Sequence, residues 1–219
     1  MSRKLIMILS ALLTAVIAAY LGYNALDEMA VGVEYGSLEN FFDEFLISPQ
    51  KLIFNGMIYV LPVIYASSLS FAASEYLIRI KKELLFKLTY KSLLTSVVLT
   101  AYVIILETVA ALVCGISGIT ASYLTGVYLK VVLFFLECHF MFYLFYTITL
   151  NAIAAIAAVF GVNMVILAII LNITFAGFLS GSGGMFAAFI CICAIGCAAY
   201  VITAVLLKTK EIMLKNNEK

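Results

Sequence analysis

Glu107 and Glu137 each interrupt a long apolar run, and they are the side chains in this sequence best placed to do chemistry. An ionised carboxyl in hydrocarbon is costly, so each faces the protein interior or water and marks by default a pathway or a coupling site. The plainer reading of each is an internal ion pair or a hydrogen-bonded strut. Lys130 lies seven residues before Glu137, on nearly the same helical face. Its long stem also lets it snorkel to the outer surface. His139 stands about 200° of helix rotation away from Glu137, so the two do not pair. A lone His among aromatics reads as a packing residue.

Other chemistries find little support. Cys191, Cys193 and Cys197 form C-x-C-x-x-x-C, with Cys114 and Cys138 elsewhere in apolar runs. Only Cys193 and Cys197 share a helical face. A zinc site needs four ligands and deprotonated thiols, so these cysteines read as small apolar packing residues. There is one His, no G-x-S-x-G, no H-E-x-x-H and no paired acidic motif within a run, which argues against an intramembrane enzyme. There is no G-x-x-x-x-G-K-[ST] loop to cradle nucleotide phosphates, so no cofactor is expected on this chain.

The surroundings of these residues define the class. The 219 residues are 65% apolar and 11% charged. A soluble domain is about half apolar and about a quarter charged, so lipid must cover part of this surface. A net charge of +1 argues against a nucleic-acid partner. A helix needs roughly 20 apolar residues to cross a bilayer. Runs at about 5–23, 52–73, 93–114 and 185–207 meet that requirement. The 49 residues from Val131 to Leu179 carry no charge except Glu137, which suits two further spans at about 131–159 and 164–180. The turn between them is expected at Phe160–Gly161–Val162–Asn163, with Asn151 as the alternative. The fold class is therefore an all-α integral membrane protein, one transmembrane domain over 1–219 with six transmembrane helices.

Orientation follows from the cations. Arg3 and Lys4 precede the first run, while Arg79, Lys81, Lys82, Lys87 and Lys91 separate the second from the third. Lys208, Lys210, Lys215 and Lys219 follow the last. Six spans place these eleven of thirteen cations on one side, so the N- and C-termini are expected in the cytoplasm. The first run is too long for a signal-peptide core and lacks an A-x-A site, so it is read as an uncleaved helix.

Two short amphipathic helices are expected outside the spans. In the outer segment, Leu38, Phe41, Phe42, Phe45 and Leu46 make one face, with Glu39, Asp43 and Glu44 opposite. Ser37 is the N-cap and Pro49 the stop. The segment reads as a short helix lying on the outer interface, serving either as a packed lid over the other helices or as a substrate gate. In the cytoplasmic segment, Leu77, Ile80, Leu84 and Leu88 form a stripe. Glu75, Arg79, Glu83 and Lys87 follow at i+4 intervals and can pair. That helix either lies on anionic lipid or docks a cytoplasmic partner.

The layout resembles the permease subunit of bacterial ABC-2-type transporters. The likeness is carried mainly by ISPQKLIFNGMIYVLPVIYASSLSFAASEYLIRIKKELLFKLTYK, residues 47–91. Its features are Pro62 in the second span, the small and Ser-rich stretch 66–74, Glu75 opening the cytoplasmic segment and Lys91 entering the third span. The family's usual Gly–Thr after that Glu is missing, and the segment is short. The resemblance implies a coupling helix at Glu75, Leu77, Arg79, Ile80, Lys81 and Lys82 that docks a cytoplasmic ATP-binding subunit. ATP and Mg would be bound by that subunit. It also implies a second copy or sister permease subunit, the bacterial cytoplasmic membrane as location, and export of an amphipathic or hydrophobic cargo such as a peptide, drug or lipid. The alternative is the substrate-binding S component of an energy-coupling-factor vitamin importer, which the chain resembles in its A-x-x-x-A pattern at Ala11, Ala15 and Ala19.

Overall fold

The computed structural model describes residues 3–30, 37–43, 46, 48–68, 83–116, 118, 121–175 and 182–217. Among the described residues the chain is helical, without strands. Seven helices follow one another: α1 (Arg3–Ala30), α2 (Leu38–Phe42), α3 (Pro49–Ser68), α4 (Glu83–Val113), α5 (Ala121–Thr149), α6 (Ala152–Phe175) and α7 (Ser182–Asn217).

Four of these are long and apolar enough to cross a membrane, within α4, α5, α6 and α7. The apolar stretches of α1 and α3 are shorter, Ala11–Asn24 and Lys51–Tyr65. The surface agrees with a lipid medium. Val16 and Tyr20 on α1, Val98 and Ile105 on α4, Ile153 on α6 and Val201 on α7 are all more than half exposed. Distributed over a whole bundle, such apolar side chains match hydrocarbon rather than water.

α5 is the hub. It packs against α3, α4, α6 and α7 and is the most buried of the four long helices. Phe134, Phe135, Cys138, His139, Met141 and Phe142 are all buried on it, so the partly exposed positions of this stretch narrow to a stripe at Leu133, Leu136, Phe140 and Leu144. A helix apolar all round belongs in the centre.

The turn after α5 corrects the sequence expectation. The helix runs unbroken through Phe160–Gly161–Val162–Asn163, and the chain reverses instead at Leu150–Asn151. Leu150 takes a φ of 54°, and Asn151 Oδ1 accepts from the N–H groups of Ile153 (2.9 Å) and Ala154 (3.2 Å). That is an N-cap for α6, and it outweighs the turn tendency of Gly161 in a run without competing polar partners. The spans expected at 131–159 and 164–180 are thus replaced by Ala121–Thr149 and Ala152–Phe175.

α1 meets α4 through small residues: Ala15 and Ala19 of the expected pattern line one crevice with Ala18, Gly22 and with Leu106, Val109 and Ala110 of α4. Ala11 and Ala19 are exposed, whereas Thr14, Ala18 and Gly22 are buried. A Cβ at Gly22 would lie 2.9 Å from the Ala110 Cβ, so only glycine permits this approach. Tyr102 donates to the Ala11 carbonyl (3.0 Å) and adds to the seam.

The amphipathic segment after α1 forms α2, capped by Ser37, whose Oγ accepts from Asn40 N at 3.3 Å. Leu38, Phe41, Phe42 and Leu46 are buried in the main core, so this face packs as a lid rather than lying on an interface. Phe45 and Glu44 lie outside the described residues. The Tyr123 hydroxyl holds the lid to α5, lying 2.9 Å from the Glu39 carbonyl and 2.7 Å from Asp43 Oδ1. The coupling segment at Glu75, Leu77, Arg79, Ile80, Lys81 and Lys82 also lies outside the described residues. From Glu83 onward the chain is already α4, which continues without a break into the long apolar helix.

Candidate functional site

Two sets of buried polar groups lie on opposite faces of α5. One faces α4 and α3. Along α4, Ser92, Ser96, Thr100 and Glu107 are buried and share one face. From Ser92 to Glu107 the helix rises about 22 Å, most of a hydrocarbon core of about 30 Å.

Each rung of this stripe has its own geometry. Ser92 Oγ donates at 2.8 Å to the Leu88 carbonyl and lies 3.1 Å from the Tyr143 hydroxyl. His139 Nδ1 lies 2.7 Å from the Phe135 carbonyl and 3.5 Å from Ser96 Oγ. A carbonyl can only accept, so Nδ1 carries the hydrogen in the neutral ring and Nε2 is an acceptor. Among the described residues Nε2 has no partner, nor does Thr100 Oγ1. At the far end the Tyr59 hydroxyl of α3 donates to Glu107 Oε1 at 2.5 Å, while Glu107 Oε2 has no partner among the described residues.

Local sequence explains why α3 comes close enough. Gly56 lies one turn before Tyr59 and faces α5, where a Cβ would fall 2.7 Å from Phe134 Cε1. The missing side chain lets the helices approach and brings the Tyr59 ring within reach of α4.

The second set lies between α5, α6 and α7 and centres on Glu137, which is 2% exposed. Neither carboxylate oxygen has a hydrogen-bond partner among the described residues. The stem packs on α7 at Gly196, where a Cβ would stand 3.3 Å from the Glu137 Cα, Cβ and Cγ. Asn163 of α6 and the thiols of Cys138 and Cys193 are its polar neighbours. Asn163 Nδ2 donates to the Val159 carbonyl at 3.1 Å.

Lys130 does not reach Glu137. Its Nζ sits 5.6 Å from the centre of the Phe189 ring on α7, a cation–π contact. Glu107 and Glu137 are likewise not brought together: one faces α3 and the other faces α7. His139 faces α4, away from Glu137, as the helix rotation requires. Among the described residues no three His, Cys, Asp or Glu side chains converge to hold a metal ion.

Tyr59, Ser92, Ser96 and Thr100 join the site from outside the residues that the sequence singles out, and Asn163 joins it from a helix rather than a turn. The serines and Thr100 recur every fourth residue, a legible signal, although nothing in the sequence says what they face. Asn163 was assigned to a turn because asparagine favours turns. Inside a helix its side chain bonds the carbonyl four residues back instead.

Comparison of the chain with protein-family models, with curated proteins and with solved structures finds no match.

Proposed function

We propose that this chain is a permease subunit of a membrane transporter, with six transmembrane helices and both termini in the cytoplasm. The observation that carries the transport reading is the buried stripe Ser92–Ser96–Thr100–Glu107 with its unpartnered Thr100, Glu107 and His139 atoms. A purely structural network in hydrocarbon satisfies its members, because each orphan is expensive. Polar groups left with spare capacity suit a path whose partners change as a cargo passes or a gate moves. The helix directions support the six-span count. α1 and α4 run parallel, judged by the pairs Ala11–Tyr102 and Gly22–Ala110. α4 and α5 run antiparallel, judged by Ser92–Tyr143 and Ser96–His139.

The energy source and cargo rest on the ABC-2 resemblance of residues 47–91. In this reading a separate cytoplasmic ATPase subunit binds ATP and Mg and drives two permease copies, or this chain and a sister subunit, in the bacterial cytoplasmic membrane. The cargo exported is amphipathic or hydrophobic.

The test is at the coupling segment. Replacing Leu77 and Ile80 by Asp puts charge on the proposed docking face. The permease should remain in the membrane but lose co-purification with the ATPase encoded beside it, or lose stimulation of ATP hydrolysis. Undiminished binding and stimulation would remove the coupling-helix assignment. Charge reversal at Lys81 and Lys82 separates the lipid-bound alternative, in which those two lysines dominate and the effect is salt-sensitive.

A further inference from the structure

Glu107 and Glu137 are chemically unlike. Glu107 has a hydroxyl donor, Tyr59, that holds one of its oxygens. Glu137 has none: both oxygens are buried and unpartnered among the described residues. We propose that Glu137 is a proton-binding site, loaded and emptied during the working cycle, and that Asn163 is the residue that positions it.

The donors that face Glu137, the Asn163 amide and the thiols of Cys138 and Cys193, complete no hydrogen bond to either of its oxygens. The Val159 carbonyl can only accept, so it fixes the Asn163 amide with Nδ2 toward it at 3.1 Å. Nδ2 also lies 4.0 Å from Cys138 Sγ. Asn163 Oδ1 is then a third buried acceptor, with no donor among the described residues. From α7 the pocket is faced by Gly196 and the Cys193 thiol, and on α5 itself by Cys138. None of these groups brings a positive charge. The cation nearest along α5, Lys130, is engaged over the Phe189 ring. His139 is turned to α4.

One proton supplies what the cluster lacks. It converts a carboxylate oxygen into an O–H donor and removes the net charge from the interface of three helices. Loading takes the proton from hydronium and leaves water; emptying reverses this, with no carbon bond or oxidation state changed. The emptied carboxylate needs water or new donors, which α5, α6 and α7 must separate to admit. Proton occupancy is thereby tied to helix packing at the hub of the bundle. This reading does not depend on the ATPase partner.

Infrared difference spectroscopy of the full chain in lipid bilayers, stepped between acid and alkaline buffer, tests the site. The wild type should show a carboxylic-acid carbonyl band that disappears on alkalinisation. Glu137→Gln should lack that band, Glu107→Gln should keep it, and Asn163→Ala should shift its frequency. A Glu137→Gln spectrum identical to wild type overturns the proposal. Where Glu137→Gln does not fold, Glu137→Asp and Asn163→Ala decide it, and a band unmoved in both overturns it equally. Loss of ATPase binding in the Leu77/Ile80 variant leaves this band in place, so the two readings fail separately.

Discussion

Tyr59 and Glu107, 48 residues apart in sequence, are joined inside the bundle by a hydrogen bond from the phenol to one carboxylate oxygen. The bond ties α3 to α4, and the second oxygen of Glu107 has no partner among the described residues. Tyr59→Phe keeps the ring and deletes the donor. A buried acceptor left unmatched costs about 1–3 kcal/mol. Thermal unfolding in detergent should show that loss, while Glu107→Gln, whose amide oxygen still accepts, should lose less. A double-mutant cycle of Tyr59→Phe with Glu107→Leu, which removes the acceptor, should give a coupling of about 0.5–3 kcal/mol. Additive effects would mean that the pair does not interact.

Gly22→Ala should destabilise the protein. Alanine favours a helix over glycine by up to about 1 kcal/mol. The new methyl would meet Ala110 Cβ at 2.9 Å, and that methyl can retreat only by moving α4. Overpacking of this kind costs about 1–3 kcal/mol and should win. Gly161→Ala meets nothing within 4 Å and should be neutral or stabilising. If Gly161 instead sat in a turn, the same change would lower the melting temperature, so this variant also checks where α5 and α6 are divided.

The reversal at Leu150–Asn151 makes its own prediction. Asn151→Ala removes the acceptor for two backbone N–H groups of α6 and should cost about 0.5–2 kcal/mol. Asn151→Asp should retain most of the stability. Leu150 holds a left-handed backbone at φ 54°. That conformation costs a non-glycine residue about 1–2 kcal/mol, so Leu150→Gly should recover part of it. Equal melting temperatures for Asn151→Ala and wild type would discount the cap.

Topology is measurable by labelling. Single cysteines placed at Ser37, Lys82, Ser182 and Lys215 in a cysteine-free background should react with an impermeant reagent from outside at the first and third positions only. Reaction at position 82 from outside would overturn the orientation drawn from the positive charges.

Legibility differed between elements for identifiable reasons. Helicity and membrane residence were open to reading, because a chain 65% apolar with few charges must satisfy its backbone internally and hide in lipid. The capped helix behind Ser37 was equally open, since its cap and periodicity are local. The reversal after α5 was harder, because Asn151 and the Gly161–Asn163 stretch are both turn formers in a long apolar run. The choice fell to which asparagine could cap a helix and which could bond its own.

By itself, then, the sequence determined the helical class, the apolar runs, the two isolated carboxylates and the opposite facing of Glu137 and His139. Helix periodicity and the energetics of lipid are local properties, and they suffice for that much. Only the tertiary structure decided that α5 is the hub, that Tyr59 is the partner of Glu107, that Lys130 turns to Phe189, and that Gly22 of α1 closes against Ala110 of α4. Those outcomes depend on which helix faces come within bonding distance. In a bundle apolar on nearly every face, hydrophobicity does not choose among rotations; close approach at Gly22, Gly56 and Gly196 and the few buried polar groups do.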